Sequence, residues 1–374
     1  MPSLSQYWCS FERVLFPALE EALSEPLLAS HREFVRVLDV VKIERFVAGR
    51  APHWLGRPPH DRRALARAFL AKACFNFPTT TALLDRLQVD PVLRRLCGWE
   101  TRRELPDEAT FSRAFAEFAA SKLLDQIHAA LVEEYVGATV FWHVARDTTA
   151  IEARERVVPK PEAPGPPELP AAKRKRGRPR KDAEPPPPCL TRLERQYHAA
   201  PAQNWPLLAE LPRECGFGYH RNAAGKVHIW KGYKLHVDVG DGGLPLLAVT
   251  TGAAVHDTQA AIPMARITAG RVTCLYELMD AGYHAEYLER ACADLDHVPI
   301  IARNRRARLP LSMEPDRAAR YQHRTVVERF NSMLKDNHGG GTVRVRGAAK
   351  VHTHLMFGVL VIFAGVLLGW AAAG

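Results

Sequence analysis

The fifteen residues Tyr321 to Lys335, YQHRTVVERFNSMLK, carry the spacing in this chain most suggestive of chemistry. Wound as a helix at about 100° per residue, Tyr321, Arg324, Glu328 and Lys335 share a sector of roughly 60°. Val326, Val327, Phe330, Met333 and Leu334 fall on the opposite side, between about 120° and 240°, and are expected to press into a core. A carboxylate thus stands in a stripe of Tyr, Arg and Lys about 21 Å long. A solvated helix face accounts for such a pattern taken alone. Its meaning depends on which other acidic groups the fold brings to it.

Two aspartates are placed to meet Glu328. The runs ATVFWHVARD and RVTCLYELMD are rich in β-branched and aromatic residues and read as strands ending at Asp147 and Asp280. An aspartate at the carboxyl end of a strand faces the loops where ligands bind. It also serves as a turn cap, and Asp147-Thr148-Thr149 suits that role. If the three carboxylates meet, their repulsion calls for a cation among them. Oxygen-only donors favour a hard metal, Mg²⁺ or Mn²⁺. Two such ions about 3.5 to 4 Å apart can activate a water or hydroxyl and stabilise the leaving oxygen of a phosphodiester. Arg324, by its planar fork, and Lys335, as a point charge, would then hold phosphates, and Tyr321 could stack on a base or donate a hydrogen bond. On the residues alone, the chemistry is that of a metal-dependent polynucleotidyl nuclease or transferase.

The elements that position these groups follow from patterning. Residues 1–135 read as helical, with starts near His60, at the Thr79 to Thr81 triplet and at Asp107 or Thr110. Arg62, Arg63, Arg67, Arg94 and Arg95 are either phosphate contacts or ordinary surface arginines. From residue 136 to 374 the order is strand, long insertion, two strands joined by Gly240 to Gly243 as a hairpin, then alternating helices and strands up to the Tyr321 helix. An α/β fold with a mixed sheet and flanking helices is implied.

The insertion, residues 153–225, is expected to be largely flexible. Its Pro159 to Pro188 stretch holds eleven of the 28 prolines and cannot bury enough apolar surface to fold alone. It also holds Lys173, Arg174, Lys175, Arg176, Arg178, Arg180 and Lys181. Those seven positive charges account for most of the net +10, leaving +3 (10 − 7) elsewhere, so the basic character is local and suits a polyanion such as nucleic acid. Seven scattered cysteines without a C-x-x-C pair argue against a disulfide framework or zinc module. His220, His228, His236 and His256 lack tight ligand spacing and read as strand-face or loop residues. Leu355 to Gly374 has no charge and is long enough to span a bilayer; a helix buried between sheet and N-terminal bundle is the reading favoured over a membrane span.

These motifs together resemble the DDE transposases of bacterial insertion sequences. Tyr321, Arg324, Glu328 and Lys335 fit the Y-x2-R-x3-E-x6-K signature of one large branch at every position. DTTAIEARE resembles its first-acid motif, LMDAGYHAEY its second, and WKGYKLH and GAAVHDTQ the segments between. The stretch from GRPPHDRRALARAF to DEATFSRAFAEFA resembles its helical N-terminal region. The resemblance implies a ribonuclease-H-like catalytic domain behind an all-α N-terminal domain that binds DNA or serves assembly. It implies Asp147, Asp280 and Glu328 as ligands of two Mg²⁺ or Mn²⁺ ions, and Tyr321, Arg324 and Lys335 as contacts to the DNA end. It further implies 3′-OH production, strand transfer into double-stranded target DNA, a homodimeric synapse and a cytoplasmic, nucleoid-associated location without membrane. Arg176-Gly177-Arg178-Pro179 resembles an AT-hook core for the minor groove; a solvated basic linker is the alternative.

Overall fold

Side-chain caps and apolar spacing organise the N-terminal region into helices, as its sequence leads one to expect. The computed structural model of the chain describes residues 11–47, 60–157, 190–221, 225–302 and 313–373. Its first helices are α1 (Phe16–Leu23), α2 (Ala29–Val41), α3 (Arg62–Cys74), α4 (Thr80–Val89), α5 (Pro91–Cys97), α6 (Glu108–Ala120) and α7 (Leu123–Val136). Carboxylate or hydroxyl oxygens of Asp61, Thr79, Asp90 and Asp107 accept from backbone N–H groups in the first turns of α3 to α6, satisfying donors that a helix start leaves open. After Ala120 the chain breaks at Lys122, whose φ of 51° is left-handed, and turns back as α7. Several arginines of this region hold the fold together. Arg62 pairs with Glu117, Arg67 donates to the Cys97 carbonyl, Arg94 to that of Leu87 and Arg95 to that of Leu23.

The α/β part follows: β1 (Val140–Ala153), α8 (Arg192–His198), α9 (Asn204–Ala209), β2 (Gly216–Arg221), β3 (Val227–Gly240), β4 (Pro245–Gly252), α10 (Thr258–Ala269), β5 (Thr273–Met279), α11 (Glu286–Ala293), β6 (Val298–Ile301), α12 (Pro315–Tyr321), α13 (Thr325–Asn337), β7 (Thr342–Val343) and α14 (Ala348–Ala373). β1 lies between β3, which is antiparallel to it, and β5, which is parallel; β6 adds parallel to β5. β2 and β4 both pair antiparallel with β3, along its first and second halves, and β7 joins the end of β1. This is a ribonuclease-H-like mixed sheet with flanking helices.

Three expectations need correcting. β1 does not end at Asp147. Thr148, Thr149 and Ile151 continue the strand, because β3 offers partners as far as the pairing of Glu152 with Gly232. Within the 153–225 stretch, residues 190–221 are built into the fold as α8, α9 and the edge strand β2. The basic run Lys173 to Lys181 lies outside the described residues. The Tyr321 helix is not uniform either, since Gln322–Arg324 tightens into a 3-10 turn between α12 and α13.

α14 is the piece that joins the two regions. Apolar all round, it is long and apolar enough to cross a membrane, yet 67% of its most apolar window is buried inside the fold. Phe357 packs on Phe69 and Phe115 of the bundle. On an earlier turn His352 bonds Asp125 of α7 through Nε2 and Thr250 of β4 through Nδ1. A helix this apolar needs apolar neighbours, and bundle and sheet supply them along most of its length, while Gly365, Gly369 and Ala372 stay exposed.

Two fully buried imidazoles, His128 and His236, and a third part-buried one, His354, set the response of this core to acid. Burial lowers the pKa of His128 to about 3 and those of His236 and His354 to about 4. His128 and His354 bond the carbonyls of Pro245 and Gly339, and His236 bonds the hydroxyls of Thr148 and Thr251. In the unfolded chain each takes up a proton near pH 6.5, whereas in the fold it stays neutral to about 3 or 4. Stability is therefore full above pH 6.5 and is lost as pH falls through that window. Urea titrations should show the unfolding midpoint dropping between pH 7 and pH 5. His236→Gln should flatten the drop, with about 2 kcal/mol at pH 5 as the most one histidine contributes; an unchanged slope would contradict a neutral buried His236.

Candidate active site

Parallel pairing places the two aspartates together. Arg146 of β1 lies opposite Met279 of β5, so the next residues, Asp147 and Asp280, stand side by side on strands about 4.8 Å apart. β5 ends there while β1 runs on. Asp280 is consequently at a strand end and Asp147 in mid-strand. The Asp280 carboxylate accepts from Gly282 N–H at 2.9 Å, shaping the 3-10 turn after β5. Asp257, ahead of α10, adds a further negative charge near Asp280 and is itself held by Lys234 Nζ at 2.8 Å.

α13 packs over this face and delivers the polar stripe. Arg324 donates through Nη2 to Asp147 Oδ1 at 3.0 Å and through Nη1 to Glu328 Oε1 at 2.6 Å. Asn331 Nδ2 donates to Asp147 Oδ2 at 3.0 Å, so both oxygens of Asp147 are engaged from one helix. Asp147, Asp280 and Glu328 do not all come within 4.8 Å of one another, and Glu328 is more than half exposed whereas Asp147 is 16% exposed. Lys335 lies where both Asp147 and Glu152 act on its charge. Tyr321 is half-buried, its ring packed against the main core. Of the apolar face, Val326, Val327, Phe330 and Leu334 are buried, but Met333 is 41% exposed.

Burial raises the Asp147 carboxyl to a pKa of about 6; Arg324 opposes the shift and Asp280 adds to it. Burial likewise raises Asp280, again against the pull of Arg324. For Arg324 burial works toward deprotonation, and the surrounding Asp147, Tyr321, Asp280 and Glu328 more than reverse it, so the guanidinium is held firmly charged. Burial lowers the Lys335 ammonium and raises the Tyr321 phenol.

The sequence pattern missed several participants. Asn331 falls near 280° on the helical count from Tyr321, bordering the stripe, and that position was its only signal. Thr148, the neighbour of Asp147, bonds His236 and the Tyr283 hydroxyl at 2.9 and 2.8 Å. His143, four residues before Asp147, bonds Asp241 and stacks on His323 with centroids 4.3 Å apart; only the tertiary fold brings these three together. Cys274, Glu277 and His297 form another group close enough to share a ligand, fully buried among the strands. Because Arg324 holds the Asp147 charge, Arg324→Met should move the Asp147 titration upward from about 6. Carbon-13 NMR of the aspartate carboxyls reads this directly, and an unmoved titration would show that the bond is not formed in solution.

A family model described as Transposase DDE domain matches residues 208–364, a span that contains Asp280, Glu328 and the whole polar stripe. A second, described as Transposase domain (DUF772), matches residues 21–117 in the helical region. No curated protein and no solved structure matches the chain. With transposase models on both its helical and its α/β regions, and with paired aspartates on a ribonuclease-H-like sheet, the chain belongs to the DDE transposases of insertion-sequence type.

Proposed function

We propose that the chain cuts DNA at transposon ends and joins the released 3′-OH to target DNA, with Asp147, Asp280 and Glu328 as its acidic site. The observation that carries this reading is the placement of Asp147 and Asp280 on adjacent parallel strands beneath the helix bearing Glu328, Arg324 and Lys335.

Membership of the DDE transposases implies dependence on a divalent metal. The donor set suits a hard cation: only oxygen ligands, with Asp147 and Asp280 both raised by burial and Asp147 raised further by the charge of Asp280. Asp147, Asp280 and Glu328 would hold Mg²⁺ or Mn²⁺, as two ions. Bound there, the metal supplies Lewis-acid activation of the attacking oxygen and charge neutralisation at phosphorus. The chain's own residues do the rest. Asp147 must be ionised to act as a ligand, which its pKa of about 6 permits at neutral pH. Arg324 and Lys335 hold the phosphates of the DNA end, and Tyr321, packed at the start of the stripe, sets where the terminal nucleotide rests. In the cut, a water oxygen bonds to phosphorus as the 3′-oxygen departs and takes a proton. In the joining step that 3′-OH oxygen bonds to a target phosphorus as the target's own 3′-oxygen departs and takes the proton, so one phosphodiester is exchanged for another with no external energy source. Two ends cut in concert call for two copies of the chain in one synapse.

Asp147→Asn and Asp280→Asn should each lower Mg²⁺-dependent cleavage of end-bearing DNA by at least about a hundredfold while leaving DNA binding in place. Full cleavage by Asp280→Asn would overturn the assignment. Supplying an end already cut to its 3′-OH, with plasmid as target, tests joining alone; cleavage without joining would make the chain a nuclease, and neither would make it an inactive DNA-binding relative.

A further inference from the structure

A cavity of about 310 Å³ lies at the seam where α14 meets the helical region, away from the acidic site. Lys72 of α3 lines one side; Arg344 and Arg346, which follow β7, and Lys350 at the start of α14 line the other. The rings of Phe69, Phe115 and Phe357, in mutual contact, form its floor. Lys72 is 8% exposed, and no described residue makes a hydrogen bond or ion pair with its ammonium. Arg344, Arg346 and Lys350 also have no acidic partner among the described residues. The wall carries one carboxylate, Glu108, which accepts from Thr81 at 3.2 Å. His354, also on the wall, is kept neutral by burial and bonds the Gly339 carbonyl.

Four cations converging on one apolar-floored cavity, one of them on a largely buried side chain without a counter-charge, is an unfavourable arrangement in the free chain. Their mutual repulsion and the partial desolvation of the Lys72 ammonium both disfavour the charged forms. Desolvation, with Arg344 adding to it, already brings the Lys72 pKa down to about 8. An anion seated among the four groups removes that penalty, and a phosphate group, whose charged oxygens accept strong hydrogen bonds from Arg and Lys, suits them. We propose that this cavity is a second phosphate site, which grips the DNA backbone at the junction between the helical region and the sheet.

The position argues for DNA as the source of the phosphate, an inference that rests on the proposed transposase reading. β7 pairs with Glu152 and Ala153 of β1, about 17 Å along the strand from Asp147. Lys335, acted on by both Asp147 and Glu152, stands between. A strand leaving the acidic site toward β7 would therefore meet Lys335 and then Arg344.

The test measures binding of the full chain to a labelled end-bearing duplex as salt is varied, for Lys72→Met and for Arg344→Ala with Arg346→Ala. Both arginines are exposed, so the double variant should fold normally. Each change should weaken binding by roughly three- to tenfold and reduce the slope of log K against log salt by about 0.9 for every phosphate that is no longer neutralised. Lys72→Met should at the same time keep or raise the thermal midpoint, because it deletes a partly desolvated charge that has no counter-ion; a purely structural Lys72 would lower it. Unchanged affinity and slope in both variants would overturn the site. Pyrophosphate supplies the second arm. If it raises the midpoint of the wild type but not of Lys72→Met, while DNA affinity is the same in both, the cavity takes a small phosphate compound and the DNA assignment fails. Cleavage is scored separately: a wild type that cleaves while the variants bind normally sinks only this site, and variants that bind poorly in a chain that never cleaves sink only the catalytic reading.

Discussion

The sheet is held in register by one buried arginine. Arg146 of β1 donates through Nε and Nη2 to Asp238 of β3 at 2.7 and 2.9 Å, and through Nη1 to Glu277 of β5 at 2.7 Å. Thr268 of α10 donates to Asp238, and His297 Nδ1 bonds the other oxygen of Glu277. All five side chains are buried. An ion pair withdrawn this far from water gains little net stability over apolar packing, but removing one partner leaves a bare charge and costs about 3 to 5 kcal/mol. Its effect is thus mainly on which pairing is allowed.

That constraint reaches the acidic site because Arg146 and Asp147 are neighbours in a strand. Successive side chains point to opposite faces, so fixing Arg146 toward Asp238 and Glu277 turns Asp147 toward α13. A slip of one residue would exchange the two, placing a carboxylate among carboxylates on one face and an arginine opposite Arg324 on the other. The same lock ties β5 to β1, and the register of β5 is what sets Asp280 beside Asp147. The buried arginine and the paired aspartates are two consequences of one alignment.

Much of this was legible in the sequence where the signal was local. The β3–β4 hairpin, the helix start near His60, the caps at Thr79 and Asp107, and the strand leading into Asp280 all rest on residues within a few positions of one another. The end of β1 was not legible, because an aspartate followed by two threonines reads as a turn, and only pairing with β3 and β7 carries the strand past it. Residues 190–221 were hidden by the prolines before them: β2 is a strand only because the first half of β3 is free to pair with it. Asn331 is neutral and sits at the margin of the stripe, so nothing marked it until its amide was seen on Asp147. The stripe itself was readable from period alone, whereas the bond from Arg324 to an aspartate on a distant strand was not.

That bond bears on how the helix would serve DNA. Arg324 spends one N–H of each terminal nitrogen on Asp147 and Glu328, and its Nε is buried without a partner. A guanidinium presents five N–H donors in a fixed plane, and a bidentate grip on phosphate takes two parallel donors from one edge. Nη1 and Nη2 each already hold a carboxylate. A phosphate would then take the N–H groups that remain, or draw Arg324 away from at least one acid. In the second case Asp147, already costly to ionise at its depth, loses its counter-charge as the DNA arrives, and its affinity for a cation rises at that moment. Substrate docking and assembly of the acidic site would then be coupled through a single side chain, with Asn331 keeping the Asp147 carboxylate oriented during the exchange.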